Sequence, residues 1–387
     1  MLRGEDERPV ETSGCSAPGF EPVAEEFQRN FTERGELGAA FAVMRDDEPL
    51  VDLWGGIADR ASGRPWTADT LQIVFSGTKG LAAMCILLLM ERGQLALEAP
   101  VAGYWPEFAA AGKGDVLVRD VVSHTAGLPG LQVPVTWQEA TDPRRMAALL
   151  AQQPRSRDPR ATRTYHAVTF GWLCGELVRR IDGRSMGRFF AEEIARPLEL
   201  DVWIGLPREL EPRVSTVELA ATWAAAGPAE DELSTDPLRR AVENPPRYHR
   251  ESFPWNEPAW HAAEVPSSNG IGTARSIARL YASLDRLLSA RTLQLGSTAL
   301  SDRHDPLMDR PTSFGVGFQL QTDRFPLGPV PDAFGHGGAG GSVHGRWPRQ
   351  RLGFSYSMNL LRDDPGDTRA AALLAAVYNC LEREAAA

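Results

Sequence analysis

Residues 70–80 read TLQIVFSGTKG, and residues 81–91 continue as LAAMCILLLME. An apolar approach segment, Thr70–Phe75, leads into Ser76, and Ser76–Glu91 reads as a long helix that is apolar nearly all round. A helix of that kind is buried, so this one is expected at the centre of the fold. Ser76 and Lys79 stand three residues apart and share a helix face, which brings the lysine amine within reach of the serine hydroxyl. A serine hydroxyl is a weak nucleophile without a base. A lysine serves as that base when burial disfavours its charged form, and the Leu81–Met90 run supplies such surroundings. At a helix N-terminus the Ser76 N–H also lacks an intrahelical partner and can face a developing oxyanion. Taken alone, S-x-x-K is a weak motif that more often marks an N-capping serine followed by a solvated lysine.

The 387 residues are long for one simple core and suggest one large or two interlocked subdomains. A formal net charge of −10 argues against nucleic acid, which wants a basic face. The opening MLRGEDERPVETSG carries no apolar signal core, and Leu81–Met90 is too short to span a bilayer. The expectation is a cytoplasmic protein with no membrane partner. Cys15, Cys85, Cys174 and Cys380 form no CxxC pair, and Cys85 and Cys174 read as buried structural thiols. Lys79 and Lys113 are the only lysines in an arginine-rich chain. Arginine cannot replace lysine as a base, because its guanidinium keeps its proton.

Outward from the centre, residues 1–19 read as a loose arm and Pro22–Glu33 as a helix. Gly38–Met44 and Leu50–Gly55 flank a charged turn and read as a β-hairpin. The middle is mainly helical, with candidates Val118–Ser123, Asp142–Gln152, Val168–Ile181, Ser185–Ile194, Thr216–Ala225 and Ala274–Leu288. Long Pro-rich loops at 102–116, 154–160, 226–267 and 290–312 separate them. Strands return at Phe314–Leu320, Ser342–Trp347 and Leu352–Met358, and a closing helix starts at Thr368 with Asp367 as its N-cap. This pattern predicts an α/β sheet subdomain from residues 20–75 and 313–387. A helical subdomain, 76–312, stacks against it, with the site in the cleft between them.

Three further stretches stand in order along the chain: VRDVVSHTAGLPG at 118–130, TYHAVTFGW at 164–172 and FGHGGAGGS at 334–342. Together with the S-x-x-K segment they make the chain resemble the β-lactamase-related serine hydrolases, the superfamily of class C β-lactamases and DD-peptidases. Within it the sequence is most similar to family VIII carboxylesterases, over roughly residues 20–380. The resemblance implies an α+β fold of the serine β-lactamase (penicillin-binding-protein-like) type: an antiparallel sheet flanked by helices, with a helical subdomain. It makes Ser76 the acylated nucleophile and Lys79 the group that accepts or shuttles its proton. Tyr165 matches the tyrosine of the family's Y-x-N motif and shares the proton transfer. His336, Gly337 and Gly338 stand where β-lactamases carry K-T-G, and Ala339 offers a strand N–H that completes the oxyanion hole with the Ser76 N–H.

The sequence departs from that pattern twice. Ala167 replaces the Asn of Y-x-N, and His336 replaces the Lys of K-T-G. Both positions support amide and carboxylate binding in β-lactam-directed relatives, so the departures favour neutral esters. The implied activity is hydrolysis of short-chain carboxylic esters through a serine acyl-enzyme, on a small-molecule substrate, with no metal or other cofactor. The alternatives are a β-lactamase or D-amino-acid peptidase on the same site, an acyltransferase, and a catalytically silent binding member of the fold.

Other motifs compete for attention. Gly183-Arg184-Ser185-Met186-Gly187 fits the G-x-S-x-G elbow, which requires a preceding strand. Here residues 171–181 have helical spacing, so Gly183 reads as a helix C′ residue and Ser185 as the next N-cap. His124 is expected to fix a turn, and His166 and His344 are candidate pocket residues. The seven histidines show no HExxH spacing, and Gly335–Gly341 lacks the G-K-[ST] ending of a phosphate loop.

Overall fold

The computed structural model describes residues 10–221, 223, 235–246, 253–323, 327–364 and 366–386. Nine strands follow one antiparallel path. They are β1 (Thr12–Ser16), β2 (Gly38–Arg45), β3 (Glu48–Asp59), β4 (Ser301–Asp305), β5 (Arg310–Phe314), β6 (Gln319–Leu320), β7 (Phe334–Gly337), β8 (Val343–Trp347) and β9 (Leu352–Met358). Their spatial order is β1-β3-β2-β9-β8-β7-β6-β5-β4, with Arg64–Pro65 pairing β3 off the path. The two ends of the chain meet at the β2/β9 seam, where Phe41 faces Tyr356 and Val43 faces Phe354.

All seven residues of β9 are buried, because helices cover both faces of the sheet. The helices used below are α1 (Glu21–Thr32), α2 (Thr78–Glu91), α3 (Thr169–Asp182), α4 (Ala274–Ala282) and α5 (Arg369–Ala386). On one face α4 lays Ala274, Ala278 and Ala282 against Ala42 and Met44. The approach is close enough that a Cβ on Gly353 would stand 2.1 Å from the Ala278 carbonyl oxygen, so only glycine fits there. The packed pair α1 and α5 covers the other face. Asp367 Oδ1 accepts from the Arg369 N–H at 3.2 Å, as its position before α5 predicts. In α2 every residue from Thr78 to Leu89 is buried. The helix lies against α3 and β7, which accounts for its lack of a polar face.

The structure corrects several expectations. The expected N-terminal arm contains β1, which pairs with β3 from Thr12 to Ser16; residues 1–9 lie outside the described part. The expected helix Thr216–Ala225 is not formed where it is described: Glu218–Leu219 is a short strand parallel to Leu360–Leu361, and residues 222, 224 and 225 lie outside the description. So do residues 226–234 and 247–252 of the expected 226–267 loop. The single strand expected over Phe314–Leu320 is broken between β5 and β6, where Gly317 adopts φ 74°. The C-terminal part of the sheet starts at Ser301, inside the segment expected to be helical, and α4 from that same segment packs on the sheet.

Candidate active site

Ser76 is presented by a strand-to-helix turn. Gln72–Ile73 pairs with Gly270–Gly272, and Val74 N–H donates to the Gly270 carbonyl at 2.9 Å. The chain then turns through Phe75–Gly77 into α2. Phe75 sits at φ 48°, a left-handed conformation that a bulky residue adopts only when its surroundings enforce it. Its ring meets Trp255 edge-on at 4.9 Å. Gly77 has no space for a side chain, since a Cβ there would stand 2.5 Å from His344 Cδ2.

Lys79 is fully buried. Its Nζ lies 3.1 Å from Ser76 Oγ and donates to the carbonyls of Ala167 at 2.7 Å and Ser267 at 2.9 Å. A neutral amine has two N–H groups and one lone pair. Two carbonyls occupy the two donors, which leaves the lone pair to receive the Ser76 hydroxyl proton. Ala167, singled out in the sequence for a missing side-chain amide, contributes a backbone oxygen instead.

Tyr165 lies across the amine, its ring centroid 4.8 Å from Lys79 Nζ. The ring stacks on Phe314 at 5.7 Å and leans on His124 at 4.8 Å. Its backbone N–H donates to the buried Asp305 at 2.7 Å. The phenol oxygen is 3.4 Å from His336 Nε2. His336 Nδ1 is 2.7 Å from the Gly337 carbonyl, an acceptor, so Nδ1 carries the proton and Nε2 accepts from the tyrosine. Burial first, and the nearby Lys79 second, lower the His336 pKa to about 3. His336 is therefore a neutral acceptor and no substitute for a lysine cation.

Ala339 is not on a strand, contrary to the sequence expectation. β7 ends at Gly337, Gly338 N–H donates to the Ser342 carbonyl at 2.9 Å, and Ala339–Gly341 forms a tight turn with Gly340 at φ 82°. The Ala339 N–H accordingly comes from the turn that closes the β7–β8 hairpin. The polypeptide turns there because glycines at 340 and 341 accept positive φ.

Two lobes open on either side of Ser76 and Tyr165. The larger, about 340 Å³, is bordered by His336, Gly337, Gly338 and Ala339, with Arg310, Thr312 and Gln319 beyond. The smaller, about 250 Å³, is more apolar, with Phe75, Ala167, Val242, Trp255, Leu307 and Met308. Ser76, Tyr165, Ala167, His336, Gly337, Gly338 and Ala339 thus border this cleft, with Lys79 buried beside it.

The remaining candidates sort by burial and partners. His124, at φ 63°, accepts the His166 N–H on Nδ1 at 3.2 Å, and burial holds its pKa well below the usual histidine range. His166 accepts the Leu128 N–H, and His344 sits behind Gly77 with Nδ1 2.7 Å from Ser355 Oγ. Both are buried, with pKa values lowered to about 3, and neither borders the cleft. Ser185 caps the helix Met186–Phe190 and donates to Glu264 at 2.6 Å, while Gly183 takes φ 90° after α3, so the G-x-S-x-G match is structural. Sequence reading missed Ser267 and Asp305, whose contributions are a backbone oxygen and a buried carboxylate from distant loops. The turn-forming Ser267-Ser268-Asn269-Gly270 is the one signal that marks the first of them. Among the described residues no cluster of His, Cys, Asp or Glu could hold a metal ion.

Comparison with known proteins gives the family of the chain. The chain is 37% identical to the esterase/beta-lactamase LipL of Mycobacterium tuberculosis over 363 residues, 90% of this chain and 83% of that protein. A solved family VIII carboxylesterase superimposes with a TM-score of 0.87 at 36% identity, covering 96% of this chain and all 100% of that one. EstA of Arthrobacter nitroguajacolicus Rue61a superimposes with a TM-score of 0.85 at 30% identity, covering 96% and 99%. The beta-lactamase family model matches residues 25–379, from within α1 to within α5, and the chain belongs to that family.

Proposed function

We propose that this chain, a serine ester hydrolase, cleaves short-chain carboxylic esters through an acyl-enzyme on Ser76. The observation that carries the reading is the Lys79 amine, held by two carbonyls and 3.1 Å from Ser76 Oγ. As Ser76 Oγ attacks the ester carbonyl, its proton passes to Lys79 Nζ. The oxyanion lies between the N–H groups of Ser76 and Ala339. Tyr165 relays the proton to the alkoxide oxygen of the leaving alcohol, and water then attacks the acyl-enzyme by the same route in reverse. A fluorophosphonate probe should label Ser76, read by peptide mapping; label on Ser185 instead overturns the assignment.

Positions 167 and 336 favour neutral substrates. Ala167 offers no side-chain donor, and His336 is uncharged near neutral pH. A β-lactam carries a carboxylate and usually an amide, both costly to desolvate without partners. Each missing contact costs about 1–3 kcal/mol, together a preference on the order of a hundredfold or more. The test is the kcat/KM ratio of an aryl butyrate to a chromogenic cephalosporin at one pH. LipL bears both activities in its name, so a ratio near one would promote the β-lactamase reading. A cytoplasmic location fits the four free thiols, three of them buried. No helix among the described residues is long and apolar enough to cross a membrane.

A further inference from the structure

The turn that carries Ala339 is a poor scaffold by itself. Residues 338–341 read Gly-Ala-Gly-Gly, with Gly340 at φ 82° and Gly341 at φ 114°. Three glycines in four positions leave the backbone many alternative conformations. An oxyanion donor works only when it is already aimed at the place where charge develops. Something outside the turn must therefore hold it.

Arg369, the first residue of α5, does so from below. Its side chain is 1% exposed, and Nη2 donates to the Gly340 carbonyl at 2.9 Å. The same guanidinium is fixed on its other edges. Nη1 donates to the fully buried Glu36 at 2.8 Å and to the Leu360 carbonyl at 3.1 Å, while Nε and Nη2 form a fork on Asp367 at 2.9 and 2.8 Å. Tyr356, on β9, donates its hydroxyl to Glu36 in turn. The Arg362 N–H adds a second bond to the Gly340 carbonyl at 3.2 Å. The turn is thus pinned at its mouth by the Gly338–Ser342 hydrogen bond and at its apex by Arg369. Leu361 closes the remaining space, since a Cβ on Gly340 would stand 2.7 Å from its Cα.

We infer that Arg369 is a positioning residue for ester hydrolysis, which holds the Ala339 N–H in place by clamping the Gly340 carbonyl. It touches no substrate, because the 338–341 turn stands between it and the cleft. The inference rests on Ser76 being the nucleophile and Ala339 an oxyanion donor. Glu36 and Asp367 serve the same purpose one step back, as the carboxylates that hold the guanidinium.

The test compares Arg369→Lys with the wild-type enzyme. Lysine keeps the charge and offers a single head, which cannot reach Glu36, Asp367 and Gly340 together. Expected is a fall in kcat of about tenfold to a hundredfold with KM little changed. The affinity for an aryl boronic acid, which forms a tetrahedral adduct on the serine, should fall in parallel. A purely structural arginine would lower the melting temperature and leave kcat and boronate affinity of the folded enzyme unchanged; that result overturns the inference. If Arg369→Lys does not fold, the charge-balanced Arg369→Met/Glu36→Gln variant is read in the same way. Fluorophosphonate labelling of the wild-type enzyme separates the two levels. No label on Ser76 removes the proposed function and this inference with it, whereas label on Ser76 with unchanged variant kinetics removes only the inference.

Discussion

Lys113 and Lys79 are both fully buried, and each turns its amine towards backbone carbonyls. Lys113 Nζ donates to the carbonyls of Ala110, Ala151 and Gln153 at 2.8, 2.8 and 2.6 Å, over the Phe108 ring. Lys79 has two such carbonyls, and Ser76 Oγ stands beside them, under the Tyr165 ring. The difference among the described contacts is a serine hydroxyl beside Lys79 where Lys113 has a further carbonyl. Three carbonyls match the three donors of an ammonium and would face a neutral amine's lone pair with a repelling oxygen. A hydroxyl can either accept from the ammonium or donate to the amine. Lys113 thereby ties the Ala110 turn to the end of the helix Pro143–Gln152, and Lys79 is placed as a group that can exchange a proton.

The sharpest way to break this comparison is Lys79→Arg, which keeps the charge and removes the ability to take a proton. We expect kcat/KM to fall roughly a thousandfold or more, nearly as far as in Lys79→Ala, within the range for general bases. Retained activity would make Lys79 an electrostatic neighbour like Lys113. Tyr165→Phe comes next, with a loss of roughly a hundredfold and an unchanged melting temperature, since only the hydroxyl is removed. A large fall in stability instead would reduce Tyr165 to a packing residue on Phe314.

Lys113→Met should act in the opposite sense. It removes the donor from three carbonyls, of which that of Ala151 is buried, at a cost of about 1–3 kcal/mol, while kcat of the folded enzyme stays at the wild-type value. Thermal denaturation and turnover on the same sample decide it; a fall in kcat would link the two lysines. The smallest effect per residue concerns pH. His124, His166, His336 and His344 all have pKa values depressed by burial, so the unfolded chain binds protons first as the pH falls. Their contribution is full above the unfolded value and is lost on acidification. Between pH 7 and 6 each costs about 0.7 kcal/mol. The melting temperature should therefore drop over that interval; a flat or rising value would mean that these rings are already charged in the fold. No inflection from His336 should appear in kcat/KM between pH 5 and 8.

The chemistry at Ser76 was legible because it depends on side-chain types at a short spacing. A hydroxyl, an amine three residues on and an apolar helix are all local properties of residues 70–91, and the structure keeps them together at 3.1 Å. The β2/β3 hairpin and β9 were legible for a similar reason, since a strand with a buried face writes its own pattern. The broken strand at Phe314–Leu320 misled because Gly315 and Gly317 sit in an apolar run whose turn is stabilised from elsewhere, including the Gly317 N–H bond to the Val122 carbonyl.

The sequence by itself singled out the candidate atoms: the Ser76 hydroxyl and the Lys79 amine by their spacing, and, through the family resemblance, the Tyr165 phenol and the departures at His336 and Ala167. Only the tertiary structure decided what makes those atoms competent. The acceptors that orient Lys79 are the carbonyls of Ala167 and Ser267, 88 and 188 residues away, and every residue has a carbonyl. The Ala339 turn is held by Arg369 and its partner Glu36, which stand 333 residues apart. Backbone oxygens carry no residue-type signature, and pairings across most of the chain leave no periodicity, so these determinants exist only once the two ends of the chain have closed the sheet.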